Sequence, residues 1–171
     1  EIARPIQFEH QVQGDALPAF ARWFHDGKIN ISYNCLDRHV LAGNGDRVAL
    51  YFEGEPGDTK EFTYAQLTEE VKRAANVLIG LGIKPGDRVA IASGNRSEWC
   101  LVDQAVLRIG AIGIPIYPTS SAEDFAYVLN HSESKIFFGS NAEIMAKAQQ
   151  AQTSCPALQK LYSFDRLPDH P

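Results

Sequence analysis

No stretch of this chain is apolar for anything close to the roughly 20 residues that span a bilayer. No transmembrane segment is therefore expected. Positive charge is scarce as well: 16 Lys and Arg against 21 Asp and Glu give a formal net charge of -5. That balance argues against a protein that coats nucleic acid, because neutralising phosphates needs clustered cations. The opening residues Glu1 to Gln13 lack a basic flank followed by an apolar run, so no secretory leader is expected there. Only three cysteines occur, Cys35, Cys100 and Cys155, widely separated and odd in number. That pattern fits reduced thiols in a cytoplasmic protein better than a disulfide framework. Cys35 and His39 stand four apart, but no second Cys/His pair completes a tetrahedral metal site. The phosphate loop G-x-x-x-x-G-K-[ST], H-E-x-x-H and G-x-S-x-G are all missing. Gly43-Asn44-Gly45 has Val48 where a dinucleotide fingerprint needs its third glycine, and it precedes a strand, so it reads as a turn.

What is present is an alternating strand–helix pattern. The 171 residues, 44% hydrophobic and 22% charged, suit one globular core. Residues 1–45 read as an irregular N-terminal extension that packs on the body. Ala19, Phe20, Trp23 and Phe24 lie at helical spacing within it. From Arg47 onward the order is regular. Val48, Leu50 and Phe52 alternate as in a half-buried strand, and Glu55-Pro56-Gly57-Asp58 is a turn. Phe62 and Tyr64 belong to the next strand or its end.

Leu67, Val71, Ala74, Leu78 and Leu81 share one helical face, with Thr63 and Gln66 as a capping box. Gly82 and Pro85 end that helix. Strands follow at Arg88–Ala92, Ile112–Ile116, Lys135–Phe138 and Leu161–Phe164. Helices run between them to about Ile109, through Phe125, Val128 and Leu129, and to about Ala151. The spacing predicts caps at Asn95 with Glu98, Ser120 with Glu123, and Ser140 with Glu143. Such units imply an α/β fold, a layered and largely parallel sheet flanked by helices. The histidines His10, His25, His39, His131 and His170 have no acid or nucleophile at motif spacing and read as surface or structural.

Two stretches carry a family resemblance. In the first, Trp23-Phe24-His25-Asp26-Gly27-Lys28-Ile29-Asn30 and onward to Val40, Gly45-Asp46-Arg47-Val48, Phe62-Thr63-Tyr64 and Gly82-Ile83-Lys84-Pro85-Gly86-Asp87-Arg88 resemble acetyl- and propionyl-CoA synthetases over residues 23–91. In the second, Asn95-Arg96-Ser97-Glu98-Trp99 and Gly110-Ala111-Ile112-Gly113-Ile114-Pro115-Ile116-Tyr117-Pro118-Thr119 resemble long-chain fatty acyl-CoA synthetases over residues 95–165. A natural intermediate and a fused or reconstructed sequence both account for the mixture. The whole resembles the N-terminal part of an AMP-forming acyl-CoA synthetase, in the adenylate-forming superfamily.

That resemblance implies that residues 46–171 form an α/β subdomain of the AMP-binding domain, ending before the phosphate-binding loop. It implies a parent ligase that uses ATP, CoA and Mg²⁺ to activate a carboxylic or fatty acid. No cofactor is expected to be held tightly by this chain, and no catalytic residue is assigned to it. Tyr117, Pro118 and Thr119 fall where acetyl-CoA synthetases touch the CoA nucleotide, with Tyr-Pro-Thr in place of Phe-Gly-Gly. Lys147 falls near a family arginine that meets CoA phosphate. As a bare turn, Tyr117–Thr119 simply joins a strand to a helix. The implied partner is the remainder of the synthetase, and self-association is expected through faces around Val106, Ile114 and Ile116. The alternative is a stand-alone CoA- or nucleotide-binding or protein-interaction module.

Overall fold

The computed structural model describes residues 27–55 and 57–167. The aromatic stretch at Ala19–Phe24 lies outside them.

The chain lays down β1 (Val48–Glu53), β2 (Thr59–Thr63), α1 (Tyr64–Gly80), β3 (Arg88–Ala92), α2 (Ser97–Arg108) and β4 (Ile112–Pro115). It continues with α3 (Ala122–His131), β5 (Ile136–Gly139), α4 (Ala142–Gln152) and β6 (Lys160–Ser163). β1 and β2 form an antiparallel hairpin with a register shift between Val48 and Leu50. The other four strands form a parallel sheet in the order β4-β3-β5-β6. No helix among the described residues is long and apolar enough to cross a membrane.

β3 is central, and Val89–Ala92 are all buried because helices cover both faces. Its side chains divide between two cores. Val89 joins Leu67, Val71, Leu78, Ala105 and Val106 under α1 and α2. Ala90 and Ala92 join Phe125, Leu129, Phe137 and Ile144 under α3 and α4. Period-two alternation on a strand sandwiched by helices leaves no position free for a polar group.

The ends of α1, α2 and α3 follow one device. After α1, Ile83 N donates to Leu78 O (3.1 Å) and Gly82 N to Ile79 O (2.9 Å), a Schellman closure with Gly82 at φ 88°. After α2, Ala111 N reaches Val106 O and Gly110 N reaches Leu107 O, with Gly110 at φ 74°. After α3, Glu133 takes the same place at φ 49° despite its Cβ. After α2 and α3 the closure leads within a few residues into the next strand, whereas after α1 a second turn, closed by Asp87 N on Lys84 O, precedes β3.

Several local expectations shift. Thr63 and Gln66 do form the capping box of α1, and Tyr64 is its first residue rather than strand. The other caps move by one residue. Ser121 pairs with Asp124 at α3, and Asn141 caps α4 by accepting from Ile144 N. At α2 the N-cap is Arg96, without any side-chain cap. Spacing alone could not choose between adjacent small polar residues; the turn that precedes each helix chose. Residues 31–44, read as irregular, are helical, with wide π-type turns at Tyr33–Asp37 and Val40–Asn44. Tertiary contacts hold them. Asn30 Nδ2 donates to the carbonyls of Leu107 (3.2 Å) and Arg108 (3.0 Å), and Arg108 clasps Asp37 at 2.6 and 2.8 Å. The Arg108 guanidinium hydrogen-bonded to Asp37 holds that carboxyl below the usual carboxylate range, against burial acting the other way. Val106 is fully buried and Ile116 nearly so, and both belong to the cores, so they offer no self-association surface; Ile114 is half-buried. Ile112 and Tyr117 are exposed instead.

Replacing Gly110 by Ala forces a left-handed backbone on a residue with a Cβ, at a cost of about 1 kcal/mol. The variant is expected to melt about 2–4 °C lower than the parent by differential scanning calorimetry.

Candidate functional site

From β3 the chain steps to β4 on one side, then crosses to β5 and β6 on the other. The loops leaving the carboxyl ends of β3 and β5 therefore diverge, and a crevice opens between them. In open α/β sheets such a switch point is where ligands bind. Here it is a polar crevice of about 330 Å³. Ser93–Arg96 line it from β3, Ser140 and Asn141 from β5, and Asp165 follows β6. Phe52, Asp58 and Lys60 reach it from the β1–β2 hairpin.

Charge in the crevice is organised around Glu98, in the first turn of α2. Its carboxylate accepts from Lys60 Nζ (2.9 Å) and Arg96 Nε (3.0 Å). Arg96 extends further, with Nη1 on Asp165 Oδ1 at 2.9 Å and its guanidinium 5.3 Å from the Phe164 ring centre. Burial alone would raise the Glu98 pKa. The hydrogen bonds from Lys60 and Arg96, its own backbone N–H and the Arg96 charge outweigh burial and hold it at about 2. α2 lacks a side-chain cap because its N-cap is Arg96, whose guanidinium has no acceptor to offer.

The second feature lies at the end of the neighbouring strand. Tyr117–Ser120 is a β-turn closed by Ser120 N on Tyr117 O at 3.0 Å, with Pro118 in the position that suits its fixed φ. Tyr117 is 81% exposed, so its ring is open to a partner. Lys147, on α4, donates to Pro118 O at 3.1 Å, lies 5.9 Å from the Phe125 ring centre and pairs with Glu143 at 3.4 Å. Residues 29 apart in sequence thus meet. Among the described residues no three His, Cys, Asp or Glu side chains converge as a metal site would need.

The profile of the family described as AMP-binding enzyme matches residues 36–170, and that of the acetyl-coenzyme A synthetase N-terminus matches residues 5–35. The chain belongs to the AMP-binding enzyme family. The chain is 48% identical over 119 residues to an acetyl-coenzyme A synthetase of Streptomyces avermitilis, covering 70% of the chain and 18% of that relative. It is 37% identical over 161 residues to one of Rubrobacter xylanophilus, covering 89% and 25%. It therefore spans about a fifth of the length of these relatives. In fold it matches the crystal structure of the anthranilate CoA ligase AuaEII in complex with anthranoyl-AMP, with TM-score 0.69 and 21% identity, over 78% of this chain and 24% of that one.

Within this family member, sequence reading singled out Tyr117, Pro118, Thr119 and Lys147, and the fold brings Lys147 onto the Tyr117–Pro118 turn. It missed Lys60, Arg96, Glu98 and Asp165. The signal for Arg96 and Glu98 was Asn95-Arg96-Ser97-Glu98-Trp99, quoted for resemblance and read only as a cap; Lys60 and Asp165 carried no local signal.

Because the folded Glu98 pKa lies below the ordinary 4.5, its contribution is complete above pH 4.5 and disappears as pH falls towards 2. After screening it amounts to about 1 kcal/mol. Glu98→Gln is expected to lose that amount at neutral pH. In urea titrations from pH 7 to 2, the stability difference from the parent should shrink below pH 4.5.

Proposed function

We propose that this chain is the N-terminal part of an AMP-forming acyl-CoA synthetase acting on a short carboxylic acid, with acetate as the first candidate. The identity to acetyl-coenzyme A synthetases, up to 48% over 119 residues, carries this reading. A fatty acid is the candidate suggested by the second half of the sequence. In such a ligase the carboxylate oxygen attacks the α-phosphorus of ATP, giving acyl-AMP and pyrophosphate. The CoA thiol then attacks the acyl carbon, AMP leaves, and the thiol proton is released. A bound Mg²⁺ would supply neutralisation of the phosphate charge.

The residues of this chain would bind rather than react. Tyr117 presents an exposed π face on which an adenine ring can stack. Pro118 sets the turn, and Thr119 is exposed beside it. Lys147 would supply positive charge for a CoA phosphate, moving from Glu143 to do so. Residues 46–171 would be the first subdomain of the adenylation domain. The preceding extension would be fastened to it through Asn30 and Asp37.

Stacking on an aromatic ring contributes about 1–3 kcal/mol, at least fivefold in affinity. In the complete synthetase, Tyr117→Ala is expected to raise the KM for CoA by that factor and leave ATP–pyrophosphate exchange unchanged. Equal losses in both assays would remove the turn from the CoA site. The 171-residue chain alone is expected to show no exchange above background, since no residue in it is assigned to adenylation.

A further inference from the structure

The hairpin is anchored at one end only. Leu50 and Phe62 pack against the core beneath α1, and the register shift between Val48 and Leu50 bends the strand there. Beyond that point Glu53, Asp58, Thr59, Lys60 and Glu61 are exposed. Yet Phe52, Asp58 and Lys60 line the crevice, so the distal half stands across its mouth.

One polar link holds it there. Lys60 Nζ meets Glu98 Oε1 at 2.9 Å and Ser97 Oγ at 3.3 Å. Among the described residues, no other hairpin side chain makes an ion pair. The two halves of this contact differ in rigidity. Glu98 is tied to Arg96, and Arg96 to Asp165 and to Ser140 O at 3.5 Å, so the catch is fixed to the sheet. Lys60 is 45% exposed on a strand with little else holding it. Such a pair is weak, and salt screens it. The contact biases the hairpin towards the sheet without locking it.

We propose that the distal half of the β1–β2 hairpin is a salt-sensitive flap over the switch-point crevice, hinged at the Val48–Leu50 irregularity and latched by Lys60 on Glu98. Opening it admits small polar ligands to Ser93–Arg96 and Asn141. Closing it places Lys60 on the Glu98–Arg96 network.

Pulsed dipolar EPR tests this in the 171-residue chain. Spin labels replace exposed Glu53 and Gln149 in a Cys35→Ser, Cys100→Ser background. Raising salt from about 50 mM to about 1 M should increase the ratio of long-distance to short-distance populations about two- to fivefold. Lys60→Met should produce that shift at low salt and abolish the response to salt, while Lys60→Arg should keep the parental distribution. A distribution unmoved by both salt and Lys60→Met overturns the flap. So does a general loss of structure by circular dichroism accompanying the shift. The salt arm needs no change at Lys60, so a poorly folding variant leaves the question decidable.

Discussion

Everything here depends on the central strand having helices on both faces. Val89–Ala92 have no room for an unpaired polar group, because all four are buried and Val89, Ala90 and Ala92 enter the two cores. Chemistry is thereby displaced to the carboxyl ends of the strands, where the chain first reaches water. The crevice, the Tyr117 turn and Lys147 all lie at or just beyond that edge. Helix closures at Gly82, Gly110 and Glu133 bring the chain back to the opposite edge each time, so successive loops accumulate polar residues at one end.

At that end one carboxylate organises its neighbours. Glu98 could have capped α2, as its spacing from Asn95 allows. It instead joins Lys60 of the hairpin to Arg96 and, through Arg96, to Asp165 beyond β6. A cap would have stabilised one helix end. The bridge ties three parts of the chain together. The N-terminus of α2 has no side-chain cap because Arg96 stands at the N-cap.

Legibility divides along the same line. All four strands of the parallel sheet and all four α-helices could be read from period-two and period-3.6 patterns, to within a residue or two. Caps could not, because Ser120 and Ser121, or Ser140 and Asn141, present equivalent chemistry one position apart. The helical turns of residues 31–44 were illegible for a different reason. Their order comes from Asn30 and Asp37 reaching the end of α2, more than 70 residues on. The Tyr117 turn was visible as a turn, whereas the arrival of Lys147 on Pro118 O depends on how α4 packs.

By itself the sequence determined the alternation of elements, the α/β class and the family, because local periodicity and ordered motifs survive without knowledge of any contact. The tertiary structure alone decided strand order, and with it where the chain reverses across β3 and leaves a gap. It also decided which charges meet in that gap. Ion pairs between Lys60, Glu98, Arg96 and Asp165 join residues up to 69 positions apart, and no local pattern encodes a distance of that kind.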